Sequence, residues 1–139
     1  MPVEVARNQW GAILHHPEWR TLELKWFPAT RQMSDDDFKT TTELYASQAE
    51  QLKPIQFMLI DATEFFHTFA DPGTLAWRDE HIIPRYNAAG VTKFAFHMPP
   101  DTPNTVESGA APAVEGPAAF PTGWFASRER AEQWLASDA

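Results

Sequence analysis

The sequence predicts one α/β domain: a mixed β-sheet, antiparallel in an N-terminal hairpin and mostly parallel after it, packed with α-helices. Three observations carry this expectation. The 139 residues match the size of a single domain with one core. The hydrophobic content of 43% and aromatic content of 13% suit a packed globule and not a disordered chain. Short apolar segments alternate with capped, amphipathic ones, in the order β-β-α-β-α-β-loop-β-α, and that alternation implies parallel crossovers, which are right-handed.

The elements follow in order. Residues 9–15 are apolar and mixed and read as a strand, which His16-Pro17-Glu18 interrupts as a turn. In the segment 19–27, Leu22, Leu24 and Trp26 alternate with Glu23 and Lys25, the period of a strand with one wet face. These two segments make the antiparallel hairpin. Ser34 opens a helix whose first turn holds Asp35, Asp36 and Asp37, where negative charge suits the helix dipole. Ser34 with Asp37 has the spacing of a capping box, and Phe38, Tyr45, Ala49 and Leu52 share one face. The helix should stop before Pro54.

Residues 55–60, nearly all apolar and ended by Asp61, read as a central strand buried on both faces. A Phe-rich stretch, 64–70, leads to Asp71-Pro72, a cap followed by proline at the first helical position. Pro84 should bend or end that helix, and Gly90 should close it. Residues 91–98 form the next strand. From 99 to 121 the chain is rich in Pro, Ala and Gly and contains no Lys or Arg, so a long irregular loop is expected, of the kind that is either functional or disordered. Gly123-Trp124-Phe125 reads as a short last strand. Ser127 caps a final helix that turns Ala131, Trp134 and Leu135 inward.

Composition narrows the function. The formal net charge is −8, and the basic residues are scattered; the closest pair, Arg128 and Arg130, alternates with Glu129. A phosphate-neutralising patch is missing, which argues against nucleic acid and anionic membrane surfaces. With no cysteine, neither a disulfide nor a thiolate metal site is available. The sequence shows no leader-like start and no apolar run of spanning length, so a cytoplasmic location of bacterial type is the expectation, with no membrane span.

Three stretches resemble a known family: Ile55-Gln56-Phe57-Met58-Leu59-Ile60-Asp61; Ala76-Trp77-Arg78-Asp79 leading to Val91-Thr92-Lys93-Phe94-Ala95-Phe96; and the ending from Trp124 to Leu135. Together they resemble the SpoIIAA-like family, related to STAS domains and more remotely to CRAL-TRIO lipid-binding domains. The resemblance runs from about Trp19 to Leu135 and rests on packing patterns. It implies a STAS-like sheet-and-helix fold, in a family most of whose members have no assigned activity. Anti-anti-sigma factors of the STAS class carry a phosphorylated Ser or Thr in an Asp-Ser-Ser/Thr-Gly-like turn after the central strand. Here the matching stretch is Asp61-Ala62-Thr63-Glu64, with Thr63 at the hydroxyl position, no glycine, and Glu64 adding like charge.

Candidate chemistry is sparse. The five histidines, His15, His16, His67, His81 and His97, show no helical metal-site spacing, and they read as scattered, partly exposed imidazoles. No metal and no cofactor is expected. A Gly-rich phosphate loop and a Gly-x-Ser-x-Gly elbow are both missing. Asp61 and His97 lie at the carboxyl ends of expected parallel strands, where ligands of open α/β sheets gather. Asp61, Thr63 and His97 are therefore expected to share a rim, with the 99–121 loop as a lid. Phe65, Phe66, Phe69 and Trp77 suit an apolar pocket or a dimer face, or else an ordinary core. The leading expectation is a non-catalytic domain that binds a small apolar ligand or a protein partner at Asp61, Thr63, Phe65, Phe66, Phe69 and His97. Two alternatives stand beside it: a partner-switch regulator phosphorylated at Thr63, and a small enzyme using Asp61 and His97 for acid–base work. A homodimer through an edge strand or an apolar face is compatible with the sequence.

Overall fold

Strand alternation decides which side chains meet which helix, and here it divides the molecule into two unequal layers around one sheet. The computed structural model describes residues 2–137. The strands are β1 (Val3–Arg7), β2 (Gly11–His16), β3 (Thr21–Trp26), β4 (Phe57–Asp61), β5 (Lys93–His97), β6 (Ala113–Val114) and β7 (Pro121–Phe125). The helices are α1 (Asp35–Gln51), α2 (Gly73–His81), α3 (Ile83–Ala89) and α4 (Arg128–Ala136). The seven strands pair in the order β1-β2-β3-β4-β5-β7-β6. β1, β2 and β3 form an antiparallel meander, β3, β4, β5 and β7 run parallel, and β6 returns antiparallel on β7. The α/β class and the mixed sheet agree with the sequence reading.

Two strands go beyond that reading. β1 extends the expected hairpin to three strands, and its exposed Glu4 pairs with Arg7 at 2.8 Å. A register shift between Glu4 and Ala6 bends it away from flat pairing, one of the ways a sheet protects an edge. β6 lies inside the Pro/Ala/Gly-rich stretch.

Local chemistry sets the helix ends. The Asp37 amide donates to the Ser34 hydroxyl at 3.1 Å, and the Ser34 amide donates back to the Asp37 carboxylate at 3.0 Å, a complete capping box. Asp71 accepts the Gly73 amide at 2.8 Å and so starts α2 one residue later than the Asp-Pro pattern suggests. The expected bend at Pro84 is a full break, with α2 ending at His81 and Pro84 in the first turn of α3. Gly90 closes α3 at φ +89°, a left-handed conformation that costs a residue without a Cβ little.

On one face, Leu22, Leu24 and Trp26 of β3, Met58 and Ile60 of β4, and Phe94 of β5 pack with Tyr45 of α1 and Tyr86 of α3. Leu22 and Leu24 are fully buried, and each contributes about 1.5–3 kcal/mol by leaving water. The opposite face is a smaller core: Leu59, Ala95 and Phe125 under Ala131 and Leu135 of α4.

That second layer overturns half of the expected wet face of β3: Lys25 is exposed as expected, and Glu23 is not. Glu23 points to the α4 side and is only 1% exposed. Arg128 of α4 grips it with two hydrogen bonds of 2.7 and 2.8 Å, and His16 adds a third at 2.8 Å. Burial pushes the Glu23 carboxyl up, but the bonds from Arg128 and His16 win and hold it at about 2. The alternation in residues 21–26 is real; the face it marks meets solvent at Lys25 and is covered by charge pairing at Glu23.

Candidate functional site

The expected rim of Asp61, Thr63 and His97 lies at the carboxyl edge of the parallel strands, and the sheet separates it from the aromatic candidates. Asp61 and His97 stand side by side in register on β4 and β5. Their neighbours in sequence, Ile60 and Ala62 or Phe96 and Met98, alternate to the other face. The carboxylate and the imidazole thus lie on the α4 side, and the apolar residues lie on the side of α1 and α2.

On the first side, Asp61 is buried and engaged. One carboxylate oxygen accepts the Thr63 amide at 3.1 Å and the Thr63 hydroxyl at 2.7 Å. This turn, in which a side chain caps its own backbone, ends β4. His97 Nδ1 lies 3.9 Å from the same oxygen, too far for a hydrogen bond, and is itself buried without a partner. The Thr63 hydroxyl is turned to Asp61 and not to His97. No grouping of three or more metal-ligating side chains occurs among the described residues.

On the second side an apolar cavity of about 270 Å³ opens at the strand ends. Its floor is Trp26, Ile60, Ala62, Phe96, Met98 and Trp124, from β3, β4, β5 and β7 and the residues just beyond them. Its walls are Phe38 of α1, Phe65 and Phe69 of the segment after β4, and Leu75 and Arg78 of α2. Leu75 and Arg78 are three apart and so share one helix face. The rings are mutually fixed: Trp26 meets Phe65 edge-on at 5.0 Å, Phe38 meets Phe69 edge-on at 4.9 Å, and Phe96 stacks on Trp124 at 4.0 Å.

Of the four aromatic candidates, Phe65 and Phe69 serve both readings, because they pack on the main core and line the cavity. Phe66 does not belong to it. It is 41% exposed and lies under the Arg31 guanidinium at 4.8 Å. Trp77 packs on the core beneath Lys39, outside the cavity. The 99–121 loop contributes no residue to the cavity either. Its Glu115, Gly116, Ala118 and Phe120 instead line an adjoining hollow of about 200 Å³. The loop thus neighbours this cavity without covering it, and its Val106 packs on the opposite face, against the smaller core beneath α4.

What holds the cavity wall was missed in the sequence. Asp35, the first residue of α1, reaches across to the segment after β4. It accepts the amides of Ala70 (3.1 Å) and Asp71 (2.8 Å), the Thr74 hydroxyl (2.9 Å), and a bond with His67 Nε2 (2.8 Å). Hydrogen bonds from the Asp71 and Ala70 amides, Thr74 and His67 outweigh desolvation and hold the carboxyl far below the usual carboxylate range. His67 is therefore a buried partner of Asp35, as His16 is of Glu23, and the picture of scattered, exposed imidazoles fails for both. Thr30 completes the fastening: its hydroxyl accepts the Phe66 amide at 2.9 Å and lies 3.1 Å from the Glu64 carbonyl. In the sequence Asp35 carries only the signature of helix-dipole chemistry, because its partners lie more than thirty residues away.

A wider depression of about 650 Å³ lies at the opposite, amino-terminal edge of β4, lined by Glu18, Arg20, Gln56, Glu132 and Gln133 among others. Trp19, Phe57 and Leu135 line it as well, so its walls mix apolar and charged groups, whereas the walls of the smaller cavity are apolar but for Arg78. No described helix is long and apolar enough to cross a membrane. No family model matches the chain, and the searches of curated proteins and of solved structures give no match either.

Proposed function

We propose that the protein is a non-catalytic binding domain of SpoIIAA-like, STAS-related type whose ligand is a small, largely apolar molecule held in the cavity between the strand ends and α1 and α2. The observation that carries this reading is the cavity: about 270 Å³, aromatic on most sides, and lined by a single charged residue, Arg78. Concave, mostly apolar sites with one or two placed polar groups are the usual form of small-molecule sites. Their position outside the carboxyl ends of parallel strands is the usual place. The Asp61–His97 pair lies on the other face of the sheet, with Thr63 on one Asp61 oxygen and His97 Nδ1 at 3.9 Å from it, so it does not line this cavity.

Native mass spectrometry tests the reading, on freshly purified protein and on protein incubated with 1-octanol, before and after denaturation. Wild type should carry an adduct that unfolding releases. Ala62→Phe, which puts a ring on the cavity floor, should fold and carry none. An equal adduct on the Ala62→Phe protein, or no adduct on wild type with 1-octanol, overturns it.

A further inference from the structure

We infer that the ligand of this cavity is an amphipathic anion, an apolar body of about ten non-hydrogen atoms ending in one carboxylate, with Arg78 as the contact for its head. The inference rests on the proposed apolar-ligand reading and adds the head group. Scaling from a dry cavity of about 150 Å³ that holds benzene, about 270 Å³ holds on the order of ten non-hydrogen atoms.

Charge complementarity supplies the head. Arg78 is the one charged residue that lines the cavity. Arg7, Arg85 and Arg128 are each paired with a carboxylate. Arg78 has no ion-pair or side-chain hydrogen-bond partner among the described residues; its guanidinium lies over the rings of Phe94 and Phe96, at 5.6 and 5.9 Å. Stacking on aromatic faces holds the planar group in place and leaves its N–H fork free for an acceptor. A carboxylate matches that fork in a bidentate manner.

Arg78 borders two hollows, and charge favours the apolar one for the anion. Arg78, Phe96 and Trp124 divide the apolar cavity from the adjoining hollow, and that hollow carries the carboxylates of Asp79 and Glu115. An anion there meets like charge. On the apolar side no acidic residue lines the wall. The formal charge of −8 on the whole chain opposes the binding of an anion only weakly, since at about 0.15 M salt charges beyond about 8 Å are largely screened.

The test compares octanoate with 1-octanol, equal in chain length and different in charge, by titration calorimetry on the full chain at neutral pH and constant salt. Wild type should bind octanoate roughly ten- to a hundredfold more tightly, the range expected for hydrogen bonds to charged groups. Arg78→Gln should abolish the preference, bringing octanoate to or below the level of 1-octanol measured on the same variant. Arg78→Lys should keep part of the preference. Equal affinities in wild type, or a preference that survives in Arg78→Gln, overturns the role of Arg78 and leaves the apolar cavity standing. Failure of both compounds to bind overturns the cavity reading together with the inference.

Discussion

Replacing Arg128 with methionine strands the Glu23 carboxylate beneath α4. Glu23 is 1% exposed, and Arg128 supplies two of its three short hydrogen bonds. Removing one partner of a buried pair costs about 3–5 kcal/mol, because the remaining charge stays desolvated. Arg128 is 33% exposed, so water reaches part of the site and the lower end of that range applies. All the bonds to Glu23, that of His16 included, hold its carboxyl at about 2 instead of 4.5, which is worth about 3 kcal/mol to the folded state, so the loss of Arg128 lies near that scale. At about 2.1 cal/mol/K per residue this is about a 10 °C fall in Tm for a chain of 139 residues. The sign with pH follows from the depressed value. Glu23 stabilises the fold fully above its unfolded pKa of about 4.5, and loses that contribution as pH falls toward about 2. Urea unfolding of wild type and Arg128→Met should differ by about 3 kcal/mol at neutral pH, and the gap should shrink progressively below about pH 4.5. In a Glu23→Gln background the same replacement should cost much less. A loss under about 1 kcal/mol at neutral pH, or a gap that does not shrink in acid, refutes the reasoning.

Two further outcomes bear on how the layers and the cavity wall are held. Tyr45→Phe removes a fully buried hydroxyl that lies 2.6 Å from the Leu22 carbonyl and 3.2 Å from the Leu59 carbonyl, tying α1 to β3 and β4. It should lower unfolding free energy by about 1 kcal/mol in urea titrations, and an unchanged or raised stability would count against that tie. Asp35→Ala should unfasten the segment that carries Phe65 and Phe69. The Ala70 and Asp71 amides should then exchange with deuterium about tenfold faster or more, while β4 amides keep their protection. Uniform acceleration along the chain would mean that Asp35 serves global stability and not the wall.

What was legible in the sequence is what local chemistry decides. The α1 capping box needs only Ser34 and Asp37, and the end of α3 needs only Gly90. Central strands β4 and β5 are legible because burial on both faces leaves apolar runs. β1 was hidden by its place at the edge, where Glu4 and Arg7 can face solvent and little hydrophobic pattern is required. The burial of Glu23 depends on Arg128, 105 residues further along, and no period-of-two rule can tell a wet face from one covered by an ion pair. The candidate site shows the same division. Phe65 and Phe69 lie just after the apolar run of β4, and that nearness in sequence brings them to the strand ends. Parity along β4 and β5 sets Asp61 and His97 on the opposite face, and it separates them from the rings that their sequence positions seemed to join. Arg78 stood in the sequence as part of a packing pattern; only the fold brings it to the cavity mouth.

The most direct measurement is a titration of the isotopically labelled protein with 1-octanol, followed by two-dimensional amide and indole NMR. Binding in the cavity requires saturable shifts at the Ala62 and Met98 amides and at the indoles of Trp26 and Trp124, all of which line it. Glu23 and Leu135 on the α4 side should stay in place. Spectra that do not change, or shifts that gather on the α4 side around Asp61 and His97, would contradict a ligand site between the strand ends and α1 and α2.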